Sequence, residues 1–434
     1  MASQNWDDHD RSGRYMTRDF GQNYLMTLPE EGNPIIYTNG DNDTFPLWYN
    51  QDVEGFRLDA RICNLSYLQT DWYIDQMRRP AYKSPSLPIS WERSEYVEGT
   101  NDYVEVVPAY KQSIDNLYAD ARKQAAEGNP QLLENVINEY GEDPYELENI
   151  FKYWVRGKHE DLHVIPTDSI VMKIDKEAVR RSGMLIPTDS ILDHMTISLK
   201  GKRMLIRSEL MMLEMLLQAN WERPIFIAIS VGSDNMLGME DHFIQEGLAY
   251  RFTPFSSKET GVKIDSERMY DNLMHKFKFG GLETPGLYID ENASRMCMSL
   301  RRVFSLLINQ LVKEGKDEKA KEALRYADEH IPSYNVPYDY QNGALDMADA
   351  WYQLGEQQEG DRIADALANK EIEYITWYLG LTDYQLAVTQ DNCEYHFALL
   401  DRIVKSLETY NSSLAANYDA KLGELYEIYA NRVE

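Results

Sequence analysis

Short β-type apolar runs alternate with helical stripes over roughly the first two thirds of the chain, and the pattern then becomes helical to the end. Pro34-Ile35-Ile36-Tyr37-Thr38 is a compact run of strand formers, stopped by the turn formers Asn39-Gly40-Asp41-Asn42-Asp43. Thr44-Phe45-Pro46 restarts the chain as a helix, with Pro46 in its first turn, Leu47, Trp48, Val53 and Phe56 facing inward, and Gly55 helping to end it. Ala60 to Leu68 reads as a second strand, and Thr70-Asp71 as the N-cap pair of a helix from Trp72 to Arg79. Two strands joined by a crossover helix are expected to run parallel. Ligands of open α/β sheets sit beyond the carboxyl ends of the strands, which places Asp41, Asn42 and Asp43 beside Thr70, Asp71, Trp72 and Tyr73 as the candidate binding edge.

The same periodicities organise the rest. Arg14 to Leu28 carries Tyr15, Phe20, Tyr24 and Leu25 at helical spacing, and Val107 to Gly157 holds helical stripes that predict an insert standing on the sheet. Met195–Leu199 and Met204–Ile206 flank Gly201 as an expected hairpin, after which Ser208 caps an apolar helix through Ala219. Arg223 to Ser230 is the strongest strand and is expected at the centre of the sheet, parallel to its neighbours; Leu248 to Pro254 is expected near an edge. Gly315, Ala320, Leu324, Ala327 and Pro332 fall at the spacing of the second half of a tetratricopeptide unit, with Phe304, Leu307, Ile308 and Leu311 fitting its first helix. Gly355 follows Gly315 at about 40 residues, against roughly 34 in a regular array, so the repeat is atypical. The expected architecture is a Rossmann-like, mostly parallel α/β domain over 1–290 with a helical insert at about 107–157, then a tetratricopeptide-like helical domain over 291–434.

Charge narrows the function. Lys+Arg 44 against Asp+Glu 72 leaves a formal charge of −28, which repels nucleic-acid backbones and excludes them as partners. The 30 tyrosines fit either half-wet core edges or surfaces that contact carbohydrate and protein. Cys63, Cys297 and Cys393 are widely separated and match no metal spacing, and Cys63, in an expected strand, reads as a buried thiol. No run approaches the roughly 18 apolar residues that span a bilayer. The motif Asn5-Trp6-Asp7-Asp8-His9-Asp10-Arg11 starts so close to Met1 that the chain reads as a piece of a longer protein.

Two motif readings compete with structural ones. His159-Glu160-Asp161-Leu162-His163 spells a zinc-protease pattern, but Gly157 and Pro166 leave no room for the helix that would bring both histidines to one metal, and the zinc reading fails. Asp7, Asp8, Asp10, Asp41 and Asp43 offer hard oxygens to Ca²⁺ or Mg²⁺; equally, Asp and Asn are the ordinary residues of turns and caps. Ile165-Pro166-Thr167-Asp168-Ser169-Ile170 recurs as Ile186-Pro187-Thr188-Asp189-Ser190-Ile191, and a pair of similar strand-entry turns accounts for the echo.

Asn5 to Tyr15, Thr38 to Tyr49 (Thr-Asn-Gly-Asp-Asn-Asp-Thr-Phe-Pro-Leu-Trp-Tyr), Thr70 to Ile74 and Trp221 to Phe226 together resemble one family: bacterial multi-pass membrane proteins similar to protein O-mannosyltransferases of the GT-C class. The resemblance covers essentially the whole chain. It implies the C-terminal portion of such a protein, on the periplasmic side of the inner membrane, following the transmembrane part of the same polypeptide. The family's catalytic acid belongs to membrane-proximal loops outside this chain, so no catalytic residue is carried over. A non-catalytic domain that binds or positions acceptor protein or glycan is therefore the expectation; a metal-dependent or sugar-binding enzyme using the strand-end carboxylates, and a structural periplasmic scaffold, are the alternatives. Asp168-Ser169-Ile170 and Asp189-Ser190-Ile191 also resemble the acceptor pattern of periplasmic O-glycosylation, which makes Ser169 and Ser190 candidate modification sites.

Overall fold

The computed structural model describes residues 10, 12–156, 163–184 and 191–433. The chain divides into two compact units, Gly21–Asp265, and Met1–Phe20 with Ser266–Glu434.

Helix α1 (Met16–Thr27), which enters the first unit at Gly21, leads to strand β1 (Ile35–Thr38), helix α2 (Asp41–Asp52), strand β2 (Arg61–Asn64) and helix α3 (Asp71–Met77). Every residue of β1 and β2 is buried, polar Arg61 and Asn64 of β2 included, so both strands are covered on both faces. The second strand is shorter than expected, because Tyr67–Gln69 turns into a 3-10 helix. Two contacts lock the first crossover. A Cβ on Gly21 would stand 2.5 Å from the Pro46 carbonyl oxygen, so α1 and α2 cross where only glycine fits. Arg57 donates to the carbonyls of Leu25, Leu28 and Pro29 at 2.6, 3.0 and 2.6 Å, satisfying acceptors that the end of α1 leaves open.

Strand β3 (Tyr103–Val106) then leads into the helical insert, α4 (Ala109–Ala126) and α5 (Gln131–Tyr140), where Ile114, Tyr118, Ala121, Val136, Tyr153 and Trp154 form a core of their own. After β4 (Val164–Ile165), β5 (Ser169–Lys173), α6 (Lys176–Arg181), β6 (His194–Ser198), β7 (Met204–Ile206) and α7 (Arg207–Ala219) comes β8 (Ile225–Ala228), followed by β9 (Phe243–Gln245) and β10 (Ala249–Phe252). The main sheet has the order β2-β1-β8-β10-β9; β1 is parallel to β2 and β8, whereas β10 is antiparallel to both β8 and β9.

Three expectations are corrected here. The sheet is mixed and not mostly parallel: only short 3-10 turns link β8 to β9, and without a crossover helix the β9–β10 hairpin docks antiparallel. The segments flanking Gly201 do not pair with each other; β6 pairs with β5, sharing buried Ile170, Met172, Met195 and Ile197, while β7 pairs with β3. Helix α7 starts at Arg207, with Glu209 accepting from the Ile206 amide at 3.0 Å, so Ser208 lies inside the helix and is not its cap.

The second unit is helical. It contains α8 (Glu291–Lys313), α9 (Asp317–His330), α10 (Ala344–Gln353), α11 (Gln357–Leu379), α12 (Asp383–Val388), α13 (Gln390–Thr409) and α14 (Ala415–Val433). Helix α8 packs on α9, α10 on α11, and α13 on both α11 and α14. Small side chains permit the close approach: Ala320, Ala323 and Ala327 of α9 are fully buried, and a Cβ on Gly360 would meet the Tyr352 ring at 2.4 Å. Gly315 and Gly355 adopt φ of +70° and +81° in the turns between paired helices, a left-handed conformation that suits glycine.

Candidate functional site

The carboxyl ends of β1, β2 and β8 converge on one polar layer. The turn expected over Asn39–Asp43 is shorter, with only Asn39 and Gly40 preceding the helix; Gly40 is extended, Thr44 N donates to its carbonyl at 3.2 Å, and Asp41 opens α2. Asp43 reaches back to accept from the amides of Asn39 and Gly40 at 3.2 and 2.9 Å, and from Ser230 Oγ after β8 at 2.6 Å. Its carboxylate is thus buried and fully engaged, while Asp41 and Asn42 in the same turn are exposed. Pro46 consequently falls beyond the first turn, and Trp48 and Val53 do not face inward as expected: Trp48 is half-buried and Val53 is 66% exposed.

Thr44 extends the layer across the sheet. Its hydroxyl lies 2.7 Å from that of Thr38 and accepts from Asn64 Nδ2 at 2.9 Å. Ser66 Oγ then donates to the Asn39 carbonyl at 2.9 Å, so the two loops that follow β1 and β2 are stitched together, as the parallel topology anticipates. Thr70 occupies the N-cap position of α3, but its hydroxyl donates to the Tyr67 carbonyl at 2.7 Å instead of capping. Asp71 faces Arg93 at 3.5 Å.

The two aromatic candidates part company. Tyr73 is buried, its hydroxyl accepting from the Asn64 amide at 2.9 Å, and burial pushes its pKa up; it offers no face to a ligand. Trp72 is 54% exposed and ends a run of rings. Phe45 lies 5.7 Å from Trp48, Trp48 stacks on Tyr67 at 6.2 Å with planes 12° apart, and Tyr67 lies 6.0 Å from Trp72. Phe45, Trp48 and Tyr67 were not expected here. Their signal is the i, i+3 pair Phe45 and Trp48 next to a helix start, masked because aromatic residues at that spacing ordinarily face a core.

The cation reading fares poorly. Asp7 and Asp8 lie outside the described residues; Asp10 accepts from the amide and hydroxyl of Ser12 at 2.9 and 2.5 Å; and Asp41 and Asp43 point apart in burial. Among the described residues no group of three or more His, Cys, Asp or Glu side chains is placed to hold a metal ion. Ser169 is half-buried in β5, its amide donating to Thr167 Oγ1 at 3.0 Å. Ser190 and residues 159–162 of the histidine motif lie outside the described residues.

No helix among the described residues is long and apolar enough to cross a membrane. No curated protein and no solved structure matches the chain. A family model described as TMEM260-associated domain 2 matches residues 17–271, a span that contains the whole strand-end edge and its aromatic run, and the chain belongs to that family.

Proposed function

We propose that this chain is a non-catalytic, periplasmic region of a bacterial membrane protein glycosyltransferase, and that its strand-end edge binds or positions the acceptor protein or its glycan. The TMEM260 family is protein O-mannosyltransferase-like, which ties the domain to a glycosyltransferase-like membrane protein. In the proposed arrangement the transmembrane part of the same polypeptide supplies the chemistry, a tetratricopeptide-like helical domain follows a Rossmann-like one, and the boundary falls near 290. The observation that carries the reading is the aromatic run Phe45, Trp48, Tyr67 and Trp72 on the segments that follow β1 and β2, where the Asp43 carboxylate is already satisfied. Aromatic faces stack on the C–H faces of sugars, and Asp41 and Asn42, exposed in the first turn of α2, can take hydroxyl hydrogen bonds. An acid or nucleophile needs a carboxylate that is free to act, and Asp43 is not. The metal-dependent or sugar-binding enzyme alternative would therefore have to rest on exposed Asp41 and not on Asp43.

The test is made in the full-length membrane protein. Trp72→Ala should raise KM for the acceptor by about tenfold, the loss of roughly 1.4 kcal/mol of contact, with kcat and the melting temperature unchanged because the ring is exposed. An unaltered KM in both Trp72→Ala and Trp48→Ala would leave the edge as architecture and favour the scaffold.

A further inference from the structure

The helical unit holds a second aromatic surface. Along α11, Asn369, Lys370, Glu373, Tyr374, Trp377 and Tyr378 recur three and four residues apart and so share one face. Side chains at that spacing ordinarily pack on a neighbouring helix. Here they line an open groove of about 810 Å³, to which Ser333, Pro337 and Tyr338 also contribute. Trp377 is 58% and Tyr374 43% exposed.

The groove is braced from behind. Tyr374 stacks on the His396 imidazole at 4.4 Å with planes 16° apart, Tyr378 lies 5.7 Å from the same ring, and Trp377 meets Tyr378 edge-on at 4.8 Å. His396 is pinned in turn, with Nδ1 2.6 Å from Oε2 of Glu371, whose side chain is 3% exposed. The rings are therefore held in place before any ligand arrives, which removes an ordering cost from binding.

The polar lining selects the ligand. Lys370 Nζ is already paired, donating to Asp339 Oδ2 at 2.5 Å and to the Tyr338 carbonyl at 3.3 Å, and a chain of formal charge −28 does not attract an anionic sugar. Glu373 is exposed, and among the described residues it takes no hydrogen bond or ion pair. A carboxylate is an acceptor only, so it suits hydroxyl donors and opposes the carbonyl acceptors of a proline-rich peptide, the other occupant of aromatic grooves. We propose that this groove binds a neutral saccharide, with Trp377 and Tyr374 stacking on pyranose rings and Glu373 and Asn369 taking ring hydroxyls. None of these residues belongs to the strand-end edge, so the two sites stand or fall separately.

Saturation-transfer NMR on the whole 434-residue chain, with methyl α-mannopyranoside, methyl β-glucopyranoside and diacetylchitobiose as separate probes, tests it. Transfer to the ring protons of at least one probe is expected. It should fall about fivefold or more in Trp377→Ala and in Glu373→Gln and persist in Trp72→Ala. Glu373→Gln keeps the aromatic face and carries the test if the tryptophan variant misfolds. No transfer from any probe, transfer that survives both groove variants when each also carries Trp72→Ala, or groove-dependent binding of a proline-rich peptide with no sugar bound would overturn the proposal. Transfer lost only in Trp72→Ala would overturn it too, while supporting the strand-end edge.

Discussion

The two units are held at their critical contacts by opposite kinds of side chain. In the helical unit, alanine and glycine let helices approach: Ala320, Ala323 and Ala327 are fully buried, and Gly360 sits against Tyr352. In the α/β unit, long polar side chains reach the backbone of loops. Arg57 closes the end of α1, Asp43 gathers the ends of β1 and β8, and Arg223 donates to the carbonyls of Asn33 and Ser86 at 2.6 and 2.8 Å. Removing room should therefore damage the helical unit most, and removing a hydrogen-bond partner the α/β unit. Each unit also carries its own reporter. Burial pushes the Cys63 thiol up to about 12 in the α/β unit, and Cys297 to about 12 and Cys393 to about 11 in the helical one, so native thiols should be inert and unfolded ones reactive.

The largest effect is expected from Ala320→Trp. Overpacking a fully buried site between helices should cost about 3 kcal/mol, enough to lower the melting transition of the helical unit by many degrees. Cys297 and Cys393 should then react with a thiol reagent while Cys63 stays protected. Unchanged melting, or exposure of all three thiols together, would show that room at this contact is not what distinguishes the units.

Next comes the pair Asp41 and Asp43. Asp43→Asn puts an amide where both oxygens accept, leaving a buried donor unpaired, and should cost about 2 kcal/mol in urea unfolding followed through Cys63. Asp41→Asn removes only an exposed charge from a helix start and should cost about 0.5 kcal/mol. Equal losses would mean that Asp43 does not organise the layer. Should Asp43→Asn be nearly silent while glycosyl transfer falls, the carboxylate would be a ligand group after all.

These residues also show what the sequence could reveal. β1 and β8 were legible because a strand buried on both faces is an unbroken apolar run, and the insert because its helices have apolar stripes. The start of α2 was not, since Asn and Asp mark turns and helix starts alike, and only the bonds from Asn39 and Gly40 to Asp43 separate the two. Strand pairing around Gly201 was misread because alternating segments fit any partner with a matching face; β6 and β7 each found another. The candidate edge itself was placed by topology, but Tyr73 and Trp72, adjacent in sequence, took opposite environments. The groove on α11 left no trace, because Ser333, Pro337 and Tyr338 join it only through packing.

The smallest effect sharpens the comparison from the side of charge, since the helical unit also has surface ion pairs. Glu267 accepts from Lys316 at 2.6 Å and Lys319 at 2.7 Å, and these bonds pull its carboxyl from 4.5 down to about 2. A folded-state value below the unfolded one means that the unfolded chain takes up the proton first as acid is added. The contribution is therefore present above about pH 4.5 and is lost as the pH falls towards about 2. Glu267 is 52% exposed, so solvent screens most of that shift, and the net stabilisation is about 0.5 kcal/mol. Glu267→Gln should lower the melting temperature of the helical unit slightly at pH 7, leave it unchanged near pH 2, and so flatten the acid limb between those values. Raising the salt to about 1 M should erase the difference, because exposed pairs are screened over a few ångströms at that strength. The α/β transition should not move under any of these conditions. If the acid limb of the helical unit keeps its slope in Glu267→Gln, the cluster with Lys316 and Lys319 adds nothing to folding, and small-residue packing alone accounts for that unit.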